Sequence, residues 1–187
     1  GKPVLCRTIG AFHRFDPAMQ LIVVLPENGI EQWRALCAEH GISIPHAVVA
    51  GGTERFHSVR AGLKEVRHDG LVAVHDGVRP LASTGLVGRC FAAAERHAAA
   101  IPVLPVNSSV REVRGEGSRA IDRAPLRMVQ TPQCFRVPLL RKAFELPYDP
   151  AFTDEATLVE RTGASVHLVE GEEANIKITT SVDMIVA

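Results

Sequence analysis

The chain has 187 residues, and its 21 Lys and Arg balance 21 Asp and Glu to a formal net charge of +0, with 46% hydrophobic and 22% charged residues. This is the composition of one ordinary globular domain and excludes a disordered chain, a collagen-like fibre and a disulfide scaffold. The zero charge also argues against a protein that coats nucleic acid through bulk positive charge, although a local basic pocket remains open to it.

The elements alternate between helix and strand. Apolar spacing predicts a helix over Pro3–Phe15, followed by the buried strand Leu21–Leu25, and an amphipathic helix over Gly29–His40 that stops at Gly41. A short strand Ala47–Ala50 runs into Gly51-Gly52 and a helix over Arg55–Val66. The strand Leu71–Val74 ends in His75-Asp76-Gly77-Val78-Arg79-Pro80, before an Ala-rich helix over Thr84–Ala99 and a strand over Ile101–Val106. Residues Asn107–Pro125 are polar, carry Gly115 and Gly117, and are expected to form a projecting hairpin. A strand over Leu126–Gln130, helices over Val137–Glu145 and Asp154–Thr162, strands over Ser165–Val169 and Asn175–Ile178, and a last helix over Ser181–Ala187 complete the pattern. Such alternation predicts an α/β fold, a Rossmann-like, doubly wound and mostly parallel sheet, in a single domain.

No apolar run approaches the ~18 residues of a membrane span. Cys6, Cys37, Cys90 and Cys134 stand far apart in sequence and form no CxxC pair, which suits reduced core residues of a cytosolic protein. The eight histidines show no HExxH spacing, so a dedicated zinc site is not expected.

Ligands of open α/β sheets sit beyond the carboxyl ends of the strands, which ranks the polar segments. Gly51-Gly52 let backbone approach a ligand ahead of a helix N-terminus, with Arg55 and Ser58 one turn apart; alone, a tight turn capped by Thr53 explains them equally simply. Asp76 surfaces after four apolar residues and could hold Mg²⁺ together with substrate phosphates, with Arg79 suited to phosphate, or the two could pair to shape the turn. Lys177 alternates with Ile176 and Ile178, and by itself reads as a solvent-facing strand lysine. Thr153 could cap the helix that follows it, and Thr179-Thr180-Ser181 with Asp183 reads as another helix start.

Together and in order, five stretches resemble the 2-C-methyl-D-erythritol 4-phosphate cytidylyltransferase family. They are Val49–Arg55 with Ser58-Val59, Val74–Pro80, Gln130–Phe135, Thr153–Ala156, and Gly171 with Asn175–Thr179. The resemblance implies a homodimeric transferase that joins CTP to a polyol phosphate with release of pyrophosphate, with Mg²⁺ as its cation and the cytoplasm as its compartment. It implies that Gly51, Gly52, Arg55 and Ser58 line the cytidine pocket, that Gly77 contacts the nucleotide, and that Asp76 serves the metal and triphosphate. Arg79, Thr131, Thr153 and Thr179 would lie around the polyol phosphate. Lys177 and Arg123 would act in catalysis, with Arg123 and Ser109 carried on the hairpin, an arm at 107–125 that completes the partner's site.

Two departures from the family stand out. Ser108-Ser109 occupy positions where the family usually has Asp-Thr, which keeps a ribitol 5-phosphate cytidylyltransferase in view. The family also opens with a strand and a Gly-rich phosphate loop ahead of the segment with which this chain begins. The working enzyme is therefore expected to exceed 187 residues; a polypeptide lacking that loop would be a catalytically inactive nucleotide-binding homodimer.

Overall fold

Helix α1 (Val4–Phe15) turns Cys6, Ile9 and Phe12 inward in the computed structural model, which describes all residues from Gly1 to Ala187. The chain continues through β1 (Ile22–Leu25), a 3₁₀ turn at Glu27–Gly29, α2 (Ile30–Glu39), β2 (Ala47–Ala50), α3 (Arg55–Lys64) and β3 (Leu71–Val74). Then come α4 (Thr84–His97), β4 (Ala99–Pro105), the hairpin strands β5 (Val110–Arg114) and β6 (Gly117–Ile121), β7 (Arg127–Val129) and β8 (Gln133–Arg136). Helices α5 (Val137–Ala143) and α6 (Glu155–Glu160), strand β9 (His167–Glu170) and helix α7 (Ser181–Val186) end it.

The α/β class and the strand–helix alternation stand as the sequence predicts. Strands β1 and β2 pair in parallel, as do β4 and β9. The central sheet also contains antiparallel pairs, because the hairpin after β4 reverses the chain: β7 and β8 then run in sequence along one edge of β4, and β3 docks antiparallel on β8. Strand β8 escapes the sequence reading since it follows a polar Gln-Thr-Pro turn and begins with a glutamine. Gln133 is nevertheless fully buried, its amide donating to Asp154 (2.8 Å) and accepting from the Ala156 N–H (3.1 Å). Conversely, Asn175–Ile178 is not a strand: its backbone bond to the loop after β3 is Ile178 N–H to the Val78 carbonyl at 2.9 Å.

The main core is built from α3, α5, α6 and the central sheet, with Phe56, Phe135, Leu140 and Leu158 buried in it. A second cluster packs α4 over Cys90, Cys134 and Phe12. All four cysteines are free thiols. β5 and β6 pair only with each other, as a two-stranded ribbon.

One gap shapes everything near the site. β1 pairs only with β2, and β3 only with β8, so each has one unpaired edge. Both strands line a cavity of about 1020 Å³ with walls that include Val24, Leu25, Val59, Val72, Val74 and Phe12. Its polar end is formed by Arg55, Ser58, Asp76 and Gly77.

Candidate active site

The loop after β2 owes its shape to its two glycines. A Cβ on Gly51 would come within 2.7 Å of Ser58 Oγ, and one on Gly52 would collide with the His57 side chain, so only glycine lets the first turn of α3 close over the loop. Ser58 Oγ accepts from the Gly52 N–H at 3.1 Å, which fixes the loop to the helix. The cap differs from expectation. Glu54, not Thr53, precedes the helix, and it makes no side-chain cap bond, so the first-turn N–H groups of α3 have no side-chain partner from the cap.

Arg55 reaches across to α6. Its two terminal nitrogens donate to both oxygens of Glu155, at 2.5 and 2.6 Å. The Glu155 side chain is only 2% exposed, whereas that of Arg55 is 38% exposed. Burial pushes the Glu155 carboxyl above its usual value, against the pull of Arg55. Nothing in the local sequence announces this pair, since Glu155 looks like an ordinary first-turn acid and its partner is 100 residues away.

The loop after β3 is braced from within. Thr131 Oγ accepts from the Asp76 N–H (3.0 Å) and bonds His75 Nδ1 (3.0 Å), while His75 Nε2 donates to the Arg79 carbonyl (3.0 Å). The pattern needs a neutral ring, and burial drives the His75 pKa down to about 4. His75 thus ties the two ends of the Asp76–Arg79 turn together, as a turn residue rather than a base.

Within that turn three charges converge. Arg79 Nε donates to Asp76 Oδ2 at 3.0 Å, and Lys177 Nζ lies 3.4 Å from the same oxygen. Burial raises the Asp76 carboxyl, but the Arg79 bond and the charges of Lys177, Arg79 and Arg55 outweigh it and hold the pKa below the usual value. Asp76 is therefore ionised at neutral pH. Lys177 is half-exposed, whereas Ile176 and Ile178 on either side of it are partly buried. Arg79, Asn107, Gln130, Asn175 and Lys177 border a second cavity of about 480 Å³.

The other expected site residues are placed as follows. Thr131 is buried, with its hydroxyl committed to His75 and Asp76, so it acts on the site through them. Thr153 is exposed just ahead of α6; the cap of that helix is Asp154, which accepts from Thr157 N–H. Thr179 bonds Asp183, whose reciprocal bonds with Thr180 form the capping box of α7. Ser109 and Arg123 sit exposed at the base of the hairpin, where Arg123 bonds the carbonyl of Asn107. No cluster of three His, Cys, Asp or Glu side chains is placed to hold a metal ion. No helix is long and apolar enough to cross a membrane.

The arrangement can bind two anionic groups side by side: one at the end of the large cavity near Arg55, Ser58, Asp76 and Gly77, the other between Arg79 and Lys177. A model of the 2-C-methyl-D-erythritol 4-phosphate cytidylyltransferase family matches residues 1–187. The enzyme of that name from Bacteroides fragilis is 50% identical over 187 residues, 100% of this chain and 85% of the relative. That from Bacillus velezensis is 40% identical, over 100% of this chain and 82% of its own length. The crystal structure of the Thermus thermophilus enzyme superposes with a TM-score of 0.83 at 37% identity, covering 100% of this chain and 88% of that one. With the whole chain matched by the family model and by relatives of this identity, the chain belongs to the 2-C-methyl-D-erythritol 4-phosphate cytidylyltransferase family.

Proposed function

We propose that this protein is a nucleotidyltransferase that joins CTP to 2-C-methyl-D-erythritol 4-phosphate, giving the CDP-alcohol and pyrophosphate, a step in isoprenoid precursor synthesis. A phosphate oxygen of the polyol phosphate attacks the α-phosphorus of CTP, and the bond to the bridging oxygen breaks as pyrophosphate leaves. No covalent enzyme intermediate is needed; positioning and charge stabilisation carry the rate. Besides family membership, the observation that carries this reading is the convergence of Arg79 and Lys177 on Asp76 beyond the end of β3.

Gly51, Gly52 and Ser58 shape the wall that meets the cytidine, and the rigid loop favours recognition of the base by backbone groups. Arg55, held by Glu155, adds its exposed edge to that wall. Asp76 and Gly77 face the triphosphate. Arg79, with Thr153, Thr179 and the Thr131 brace, forms the polyol phosphate side, and Lys177 stands between the two substrates to neutralise charge as the attacking oxygen approaches. A single carboxylate with one oxygen already shared by Arg79 and Lys177 does not make a metal cage, yet it fits Mg²⁺, which usually takes one or two carboxylates plus substrate phosphates. Asp76 would hold the ion, which when bound neutralises the triphosphate.

We further propose a homodimer. A lone two-stranded ribbon is marginally stable in water, and this one exposes Val113 and Ile121. Packing against a second copy would cover them and bring Ser109 and Arg123 to the partner's pocket. Four free thiols suit the reducing cytoplasm.

The experiment is direct: the intact protein is incubated with CTP, Mg²⁺ and 2-C-methyl-D-erythritol 4-phosphate, and the products are weighed by mass spectrometry. The CDP-alcohol and pyrophosphate should appear in equal amounts; pyrophosphate without the CDP-alcohol would refute the proposed acceptor.

A further inference from the structure

We infer that Gln130 and Asn175 are positioning residues that hold Arg79 and Lys177 in register for the polyol phosphate without touching it; this rests on the assignment of Arg79 and Lys177 given above. The Gln130 side chain behaves like an added strand. Its Nε2 donates to the carbonyls of Glu172 (2.8 Å) and Asn175 (3.2 Å), and its Oε1 accepts from the Glu172 N–H (3.1 Å). The approach is so close that a Cβ on Gly171 would come within 2.6 Å of Gln130 Oε1 and 3.0 Å of the Val103 carbonyl. Asn175 adds a second fastener, donating from Nδ2 to the Thr131 carbonyl at 2.8 Å. Both side chains are buried.

The consequence falls on Arg79. Its Nη1 donates to the Asn175 carbonyl at 2.8 Å while its Nε holds Asp76. The guanidinium is thereby fixed at two points, one on each loop, with Nη2 left over for a ligand. Lys177 lies two residues beyond Asn175 on the same backbone, so its ammonium is set by the same clamp. Three loops meet at this one knot: the β3 loop, the turn into β8, and the 171–178 segment. Loosening it changes the spacing of the two cations that meet the phosphate and leaves the Gly51–Ser58 side of the pocket untouched.

The test uses the full-length enzyme and steady-state kinetics with CTP and methylerythritol phosphate. Gln130→Glu keeps the shape but turns an oxygen toward two carbonyls. Asn175→Ala is milder, because Asn175 Oδ1 has no partner and only the bond to Thr131 is lost. A lost buried hydrogen bond acting on a charged group should raise the KM for methylerythritol phosphate about tenfold in Gln130→Glu and about threefold in Asn175→Ala. The KM for CTP should stay within twofold in both. In an Arg79→Ala background, either substitution should add less than its full effect, since one of its two targets is already gone. Equal rises in both KM values, or full additivity with Arg79→Ala, would overturn the inference. So would unchanged kinetics in both variants. If Arg79→Ala itself left the KM for methylerythritol phosphate unchanged, the site assignment would fall, and this inference with it.

Discussion

The Arg55–Glu155 pair joins α3 to α6 beside the Gly51–Ser58 loop, and its two halves are unequally exposed, which makes removal asymmetric. Arg55→Ala leaves a carboxylate that is 2% exposed with no counter-charge. Breaking a buried pair in this way costs about 3–5 kcal/mol; the low end, about 3, applies because the guanidinium is 38% exposed and water already screens part of the interaction. For a chain of this length that lowers the Tm by about 6–12 °C. Glu155→Gln leaves the cation instead, which can turn to water, so about 1 kcal/mol is expected. The pH dependence follows from the raised Glu155 value. A carboxyl with a folded pKa above its unfolded one weakens the fold as pH rises through that range, and losing Arg55 raises the folded value further. The gap between wild type and Arg55→Ala should therefore be small near pH 4, where Glu155 is protonated in both, and should open as pH rises from about 4.5 to 7. Thermal melts across that range measure it. Equal losses at pH 4 and pH 7, or a larger loss in Glu155→Gln than in Arg55→Ala, would refute the reasoning.

Three further outcomes are expected. Lys177→Ala and Arg123→Ala in the intact enzyme should each lower kcat by about 10²–10³ with little change in the KM for CTP, as for the loss of one preorganised donor to a developing charge; wild-type turnover in either removes that residue from the catalytic assignment. Asp76→Asn should shift the Mg²⁺ titration of activity to higher concentration, and a superimposable titration curve counts against Asp76 as a metal ligand. Thr131→Val keeps the volume but strips the brace from the part-buried Asp76 N–H and His75 Nδ1, so a loss of about 2 kcal/mol, or about 4–8 °C in Tm, is expected; an unshifted melt would show that the brace contributes nothing.

Regular apolar runs are the legible part of the fold. Ala47–Ala50 and Leu71–Val74 fall where the pattern puts them, because each is a continuous run bounded by polar loops. Strand β8 is not legible, since its first core side chain is Gln133, a residue made acceptable in the interior only by partners 21 and 23 positions away. The same limit governs the site. Asp76 and Arg79 can be suspected locally, being three residues apart at the end of a strand. Their connection to Lys177, Asn175 and Gln130 cannot, because the 171–178 segment meets them only through the folded sheet. Glu155, Gln130 and Asn175 lack any local mark of their role; family order singles out their segments, and only the hydrogen bonds show what they hold.

The proposed acceptor is methylerythritol phosphate, although Ser108-Ser109 depart from the family's usual arm and ribitol 5-phosphate presents the same terminal phosphate. Pyrophosphate release from CTP by the intact protein, measured as kcat/KM with each polyol phosphate in turn, tests it most directly. A clearly higher kcat/KM is expected with 2-C-methyl-D-erythritol 4-phosphate; a higher value with ribitol 5-phosphate, or no release with either, would contradict that assignment.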